Sequence, residues 1–195
     1  MRDPGSVIVL LVATMACRGP EGVGTVASGT LVTERFGFGR PASVEDIARV
    51  DTDVMPDGSG LPPGQGTVQR GEVVYARTCI ACHGPTGKEG PFDVLVGRVA
   101  DDGFPFGDAP GTGTTIGNYW PHAPTVFDYV RRSMPFDAPG SLRDDDVYSV
   151  VALLLHWNDL IPSDAVVDAR YLSSVDMPAA DRFVMDDRSG GPVVR

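Results

Sequence analysis

Cysteine is scarce in this chain of 195 residues, with only three, at positions 17, 79 and 82. Three thiols cannot form the disulfide framework of a small secreted scaffold. Basic residues are outnumbered: 16 Lys and Arg face 26 Asp and Glu, for a net charge of −10. That balance excludes the basic face expected of a nucleic-acid binder. No apolar run approaches the roughly 20 residues needed to span a bilayer. Histidine is just as rare as cysteine, also with three residues, and aromatics make up 8%. What the chain does have is turn formers, 24 Gly and 17 Pro, beside a 42% hydrophobic share. The first imposes loops and extended segments; the second is enough for a folded core.

The N-terminus reads as an export signal. Arg2 precedes a short apolar run from Val7 to Met15, and small residues follow, which is the pattern of a cleaved signal peptide over residues 1–16. Thr14-Met15-Ala16-Cys17 resembles a bacterial lipobox, with Thr14 where Leu is usual. Two outcomes stay open, lipidation of Cys17 or ordinary cleavage near Ala16. Residues 17–33 form a small-residue linker, and 34–66 an N-terminal extension. Within that extension, Ser43 and Asp46 form a capping-box pattern that predicts a helix over 44–50. A helix is predicted from Thr67 to Ala81, another over Thr125–Ser133, and a third capped by Ser141 and closed by Pro162. In the third, Asp144, Asp145 and Asp146 suit the positive end of the helix dipole. Val147, Val150, Val151, Leu154 and Asn158 supply its inward face. The helical domain thus spans 67–162. Residues 163–195 read as a C-terminal extension without periodicity, and no strand pairing is expected. The fold class is mainly α.

Cys79-Ile80-Ala81-Cys82-His83 is C-x-x-C-H, the attachment motif of c-type haem. Thiols three residues apart lie about one helical turn from each other. They can add to the two vinyl groups along one porphyrin edge, and His83 then sits beneath the iron as proximal ligand. A zinc site would need two further ligands at matched spacing. A thioredoxin-like redox pair would need a βαβ context. Export is coherent with haem c, which is attached after translocation. For the distal position Met134, after the second predicted helix and before Pro135, is the leading candidate. Met/His ligation raises the reduction potential. His122, His156, Met55, Met177 and Met185 are the other candidates, and core filling is the ordinary role of Met. The Pro91 carbonyl is placed to accept from Nδ1–H of His83. Tyr119 and Trp120 are candidate haem-edge residues whose O–H and N–H could reach propionates, with plain packing as the alternative. Arg98 and Arg131 are further propionate candidates.

These residues resemble a class I cytochrome c over about 67–162. Gly71, Tyr75, Cys79, Cys82, His83, Gly84, Pro91, Leu95, Gly97 and Met134 match that family's positions. A closer resemblance rests on Gly39-Arg-Pro-Ala, Asp57-Gly-Ser-Gly-Leu-Pro-Pro-Gly, the run from Tyr119 to Tyr129, Met134-Pro-Phe-Asp-Ala-Pro-Gly-Ser-Leu and Val175-Asp-Met-Pro. Over about 36–186 the chain resembles the cytochrome subunits that accompany molybdenum sulfur dehydrogenases of the Sox pathway (SoxD-type) or sulfite dehydrogenases. The resemblance implies a helical fold around one covalent haem c, with extended terminal segments. It also implies an electron-accepting role beside a molybdopterin-containing subunit, a downstream electron acceptor, and no substrate chemistry in the chain itself. Better-known sulfur dehydrogenase members carry two haem domains, whereas this chain has a single C-x-x-C-H. The expected location is the periplasm, with membrane attachment only through Cys17. The alternatives are a free electron carrier, which the −10 charge would steer toward basic partners, an enzyme with an open haem site, and a non-redox scaffold.

Overall fold

The structure is a computed structural model that describes residues 38–98 and 113–184. The chain divides into two compact units at Pro41 and Ala42, and all the described helices and strands belong to the second. The expected signal peptide, the linker, Cys17 and Met185 lie outside the described residues. No described helix is long and apolar enough to cross a membrane.

Helix α1, Val44–Ala48, opens with the expected capping box: Ser43 Oγ accepts from the Asp46 amide, and Asp46 accepts from the Ser43 amide, both at 3.1 Å. Strand β1, Gln65–Thr67, runs directly into α2, Val68–Thr78. Thr67 caps α2, its Oγ1 accepting from the Arg70 amide at 3.2 Å. Cys79 leaves helical geometry (φ −122°, ψ −31°), and a single turn, α3, Ile80–His83, follows. After α4, Ile116–Tyr119, helix α5 spans Ala123–Ser133 and α6 spans Asp144–Trp157. Helix α5 starts two residues before the expected Thr125, because Pro124 fits its first turn, where an N–H is not needed. Helix α6 starts after Arg143 rather than Ser141, with no side-chain cap. The aspartates at 144–146 support that end through charge instead.

Helices α2 and α6 cross, and the approach requires glycine. A Cβ on Gly71 would lie 2.1 Å from the Ser149 carbonyl oxygen, and one on Gly66 would lie 2.2 Å from the Ser149 nitrogen. Tyr75 meets Trp157 edge to face at 4.9 Å. Asp146 of α6 receives Arg70 of α2 at 2.8 Å and Arg143 at 3.1 Å. Every residue of α6 from Asp146 to Leu155 is buried, so the helix is enclosed on all sides rather than on one Val/Leu face.

The segments flanking the helices pack back onto them. Strand β1 pairs antiparallel with β2, Val166–Asp168, in the register Gln65↔Asp168 and Gly66↔Val167. This corrects the expectation of no strand pairing. Asp168 then caps α7, Ala169–Ser173, accepting from the Tyr171 amide at 2.7 Å. Val167, Leu172 and Met177 enter the same core as Val54 and the helices. From the other side, Gly58 (φ +89°) fits against the Ser173 side chain, and Tyr148 donates to the Pro62 carbonyl at 2.8 Å. The stretches 52–67 and 163–180 thus form a clasp over the α5–α6 side of the core.

Candidate haem site

The C-x-x-C-H residues sit at the break between α2 and α3. The turn is held by His83 N–H to Cys79 O at 3.0 Å and Gly84 N–H to Ile80 O at 2.9 Å. Cys79 and Cys82 are free thiols, both half-buried. Burial pushes the Cys79 thiol up, against the opposing contact from Thr78 Oγ1 at 3.4 Å. Two half-buried sulfurs about one turn apart suit attachment along one porphyrin edge.

The following loop orients the imidazole. Gly84 takes φ +75°, turning the chain back, and its carbonyl accepts from Tyr75 O–H at 3.0 Å. Burial, followed by the nearby Cys79 and Glu89, pushes the Tyr75 phenol up to about 12. It therefore remains a donor at neutral pH. Residues 90–93 then lie across α3: a Cβ on Gly90 would fall 2.0 Å from Cys82 O, and Phe92 N–H reaches that oxygen at 3.3 Å. This crossing brings the Asp93 carbonyl to 3.0 Å from His83 Nδ1. A carbonyl can only accept, so Nδ1 carries the proton and Nε2 keeps its lone pair for a metal. The orienting carbonyl is that of Asp93, not the expected Pro91. Pro91 is exposed, two residues short of the contact.

One residue that holds this loop escaped the sequence reading, which placed it only on the α6 stripe. Asn158 is buried, and its amide is fully used. Oδ1 accepts from Gly97 N–H at 2.9 Å and Gly117 N–H at 3.2 Å, while Nδ2 donates to Leu95 O at 3.2 Å and Leu154 O at 2.8 Å. It ties the Leu95–Gly97 end of the proximal loop to α4 and α6. A polar residue in an otherwise apolar periodic stripe was the available signal.

Met134 follows α5 directly, its N–H bonded to Val130 O at 3.2 Å, and its half-buried side chain packs against the core. Cys79, Leu95 and Trp120 pack against that same core. The Trp120 N–H goes to Thr125 Oγ1 at 2.8 Å, the packing role that stood as the alternative to a propionate contact. Trp120 also stacks edge to face on Tyr129. Tyr119 stacks on Phe183. Arg131 pairs with Asp144 at 3.0 Å, and Arg98 donates to Asp159 O at 3.3 Å; both propionate candidates therefore have protein partners. Met177 is core, and Met55 is exposed. His156 Nδ1 lies 3.1 Å from Ile161 O, half-buried rather than facing solvent. His122 stands at the N-terminus of α5.

The residues fit a haem c. The segments carrying the thiols, His83 and Met134 also carry apolar side chains left open: Ile80 is 39% exposed, Val94 38%, Phe92 61% and Phe136 81%. A flat apolar group would cover such a set. Among the described residues no cluster of three or more His, Cys, Asp or Glu offers the matched ligands of a zinc site.

Comparison with known proteins agrees. Residues 66–154 match the family model described as cytochrome C oxidase, cbb3-type, subunit III. A thiosulfate dehydrogenase from Psychrobacter arcticus is 27% identical over 117 residues, 53% of this chain. The chain spans only 31% of that relative's length. Among solved structures, a chain of the sulfane dehydrogenase SoxCD from Paracoccus pantotrophus superposes with a TM-score of 0.68. Its identity is 38%, covering 82% of this chain and 81% of that one. With the C-x-x-C-H turn, the oriented His83 and this extent of likeness, the chain belongs to the c-type cytochromes of Sox type, and its cofactor is covalently bound haem c.

Proposed function

We propose that the chain is the electron-accepting haem subunit of an exported, periplasmic dehydrogenase acting on a reduced sulfur compound, paired with a molybdopterin-containing catalytic subunit. Cys79 and Cys82 hold the haem as thioethers, His83 is the proximal ligand and Met134 the distal one. The observation that carries this reading is the SoxCD likeness across 82% of the chain, extending well beyond the helical domain. The relative named thiosulfate dehydrogenase points to the same class of substrate.

Haem c, when bound, supplies a one-electron couple at its iron. The chain's residues do the rest. The Asp93 carbonyl holds the His83 proton on Nδ1, so the ring presents Nε2 in one tautomer and one orientation. Asn158 keeps the end of the proximal loop in place through its bonds to Leu95 and Gly97. Leu95 and Trp120 pack against the core cluster beside this loop. A fixed ligand set limits rearrangement between redox states, and that suits electron transfer rather than substrate turnover.

The test is mild purification from the native host, with mass spectrometry of what travels with the haem. A co-purifying molybdopterin subunit that reduces this haem when given sulfite, thiosulfate or a protein-bound sulfane establishes the reading. A haem protein recovered alone, in good yield and not reduced by these compounds, replaces it with a free carrier.

A further inference from the structure

We propose that Asp128, Arg131 and Arg132 make the N-terminal segment Thr52–Val54 a brace for the last turn of α5, and that this brace sets how firmly Met134 is held toward the haem iron. The inference rests on Met134 being the distal ligand.

Asp128 is a carboxylate in the middle of α5, only 9% exposed. A buried carboxylate is costly unless its oxygens are filled. Here Oδ1 accepts the Val54 N–H at 2.9 Å and Arg132 Nε at 2.8 Å, and Oδ2 pairs with the same guanidinium. Asp128 and Arg132 are four residues apart and share a helix face. Arg131 donates to the Thr52 carbonyl at 3.3 Å and pairs with Asp144, at the start of α6, at 3.0 Å. Arg132 also comes within 4.0 Å of Asp53. Three consecutive residues of the N-terminal segment are thus fastened to three positions of one helix, and the Val54 side chain is buried in the core beneath. Met134 begins where these contacts end. Its amide makes the last helical bond, to Val130, and its backbone turns extended (φ −124°, ψ 149°). The thioether's starting point is therefore set by the turn that the brace holds.

The test uses the holoprotein and imidazole as a competitor for the distal position. Asp128→Ala should tighten imidazole binding about tenfold, weaken the long-wavelength absorption of the ferric Met–iron bond, and lower the reduction potential. Asp128→Asn keeps an oxygen for the Val54 N–H and should show a smaller change. Leu172→Ala, which weakens the clasp through α7 and removes none of the Asp128, Arg131 or Arg132 bonds, should leave imidazole binding as in wild type. If Asp128→Ala does not fold, Arg131→Gln decides, with about threefold tighter binding expected. Met134→Ala separates the two claims. If the Met–iron absorption survives in Met134→Ala, the ligand assignment falls, and the brace with it. If it vanishes there while Asp128→Ala and Arg131→Gln bind imidazole as wild type does, the brace alone falls. An equal change in Leu172→Ala would also overturn the brace.

Discussion

The clasp, residues 52–67 with 163–180, and the proximal stretch, residues 79–98, are both short of regular structure, yet they finish differently. In the clasp most of the apolar side chains face inward: Val54, Val167, Leu172 and Met177 are buried, only Met55 and Val166 stand well exposed, and two strands pair their backbones. In the proximal stretch the backbone is just as well held, by Tyr75, Asn158 and the Cys82 carbonyl, but Ile80, Phe92 and Val94 stay open. A rigid frame with its apolar side chains still exposed is prepared for a partner that is flat and greasy. The clasp, most of whose apolar side chains are buried, holds the fold, and its Thr52–Val54 end also grips α5. The contrast separates residues whose loss removes the cofactor from residues whose loss removes stability.

The largest effect expected is on the first kind. Cys79→Ala with Cys82→Ala should abolish covalent haem, read as loss of haem signal from the denatured polypeptide. Full retention of bound haem would erase the distinction. Gly71→Ala attacks the frame common to both regions. Its methyl would meet the Ser149 carbonyl, a backbone atom that cannot swing away, and should cost about 3 kcal/mol and lower the Tm by roughly 10 °C. Leu172→Ala attacks the clasp alone, costing about 2 to 3 kcal/mol in denaturant titration with an unchanged haem spectrum. A shifted spectrum would mean that the two regions are not separable.

The smallest effect sharpens the comparison through pH. Burial pushes the Asp146 carboxyl up, but the hydrogen bonds from Arg70 and Arg143 outweigh it and hold the pKa below its usual value. A lowered folded-state pKa contributes stability that is complete above the unfolded value, about 3.9, and is lost as pH falls through the folded value. Asp146→Asn should therefore be less stable than wild type by about 1 kcal/mol at pH 7. The two should converge as the solution is taken well below pH 4. A gap that stays constant down to acid pH would show that the ion pairs of Asp146 with Arg70 and Arg143 contribute nothing through charge.

Legibility in the sequence followed range. The Ser43–Asp46 box and the C-x-x-C-H motif are read within a few residues, and the box lies where the sequence predicts; the helix predicted over Thr67–Ala81 instead starts after its cap Thr67 and breaks at Cys79. The helical character of the domain was visible in the same way, because periodicity is local. The start of α6 was misread because Ser141 has the right side chain for a cap, whereas the helix begins on charge alone, after Arg143. The clasp was not legible: Gln65-Gly-Thr and Val166-Val-Asp are three residues long, too short for alternation to register, and their pairing depends on a tertiary meeting. Choosing Pro91 over Asp93 failed for a related reason. Which carbonyl reaches His83 depends on where Gly90 crosses Cys82, and no spacing rule encodes that crossing. Asn158 was seen as a periodic position, but its four bonds reach backbone groups as far away as residue 95. The Trp120 N–H could be read either way, because its acceptor, Thr125, joins it only once α5 has begun at Ala123.

The β1–β2 ladder also bears on the order in which the chain matures. It joins residues 65 and 168, and such distant pairings close late, after the loop between them has been gathered in. Helix α2 likewise gains its principal support only when α6 exists. A chain emerging from its N-terminus therefore presents Cys79 and Cys82 before either support can form, with both sulfurs on a short peptide that any modifying machinery can grip. Pairing of the two strands can fix the flanking segments only once residues 65 and 168 are both present.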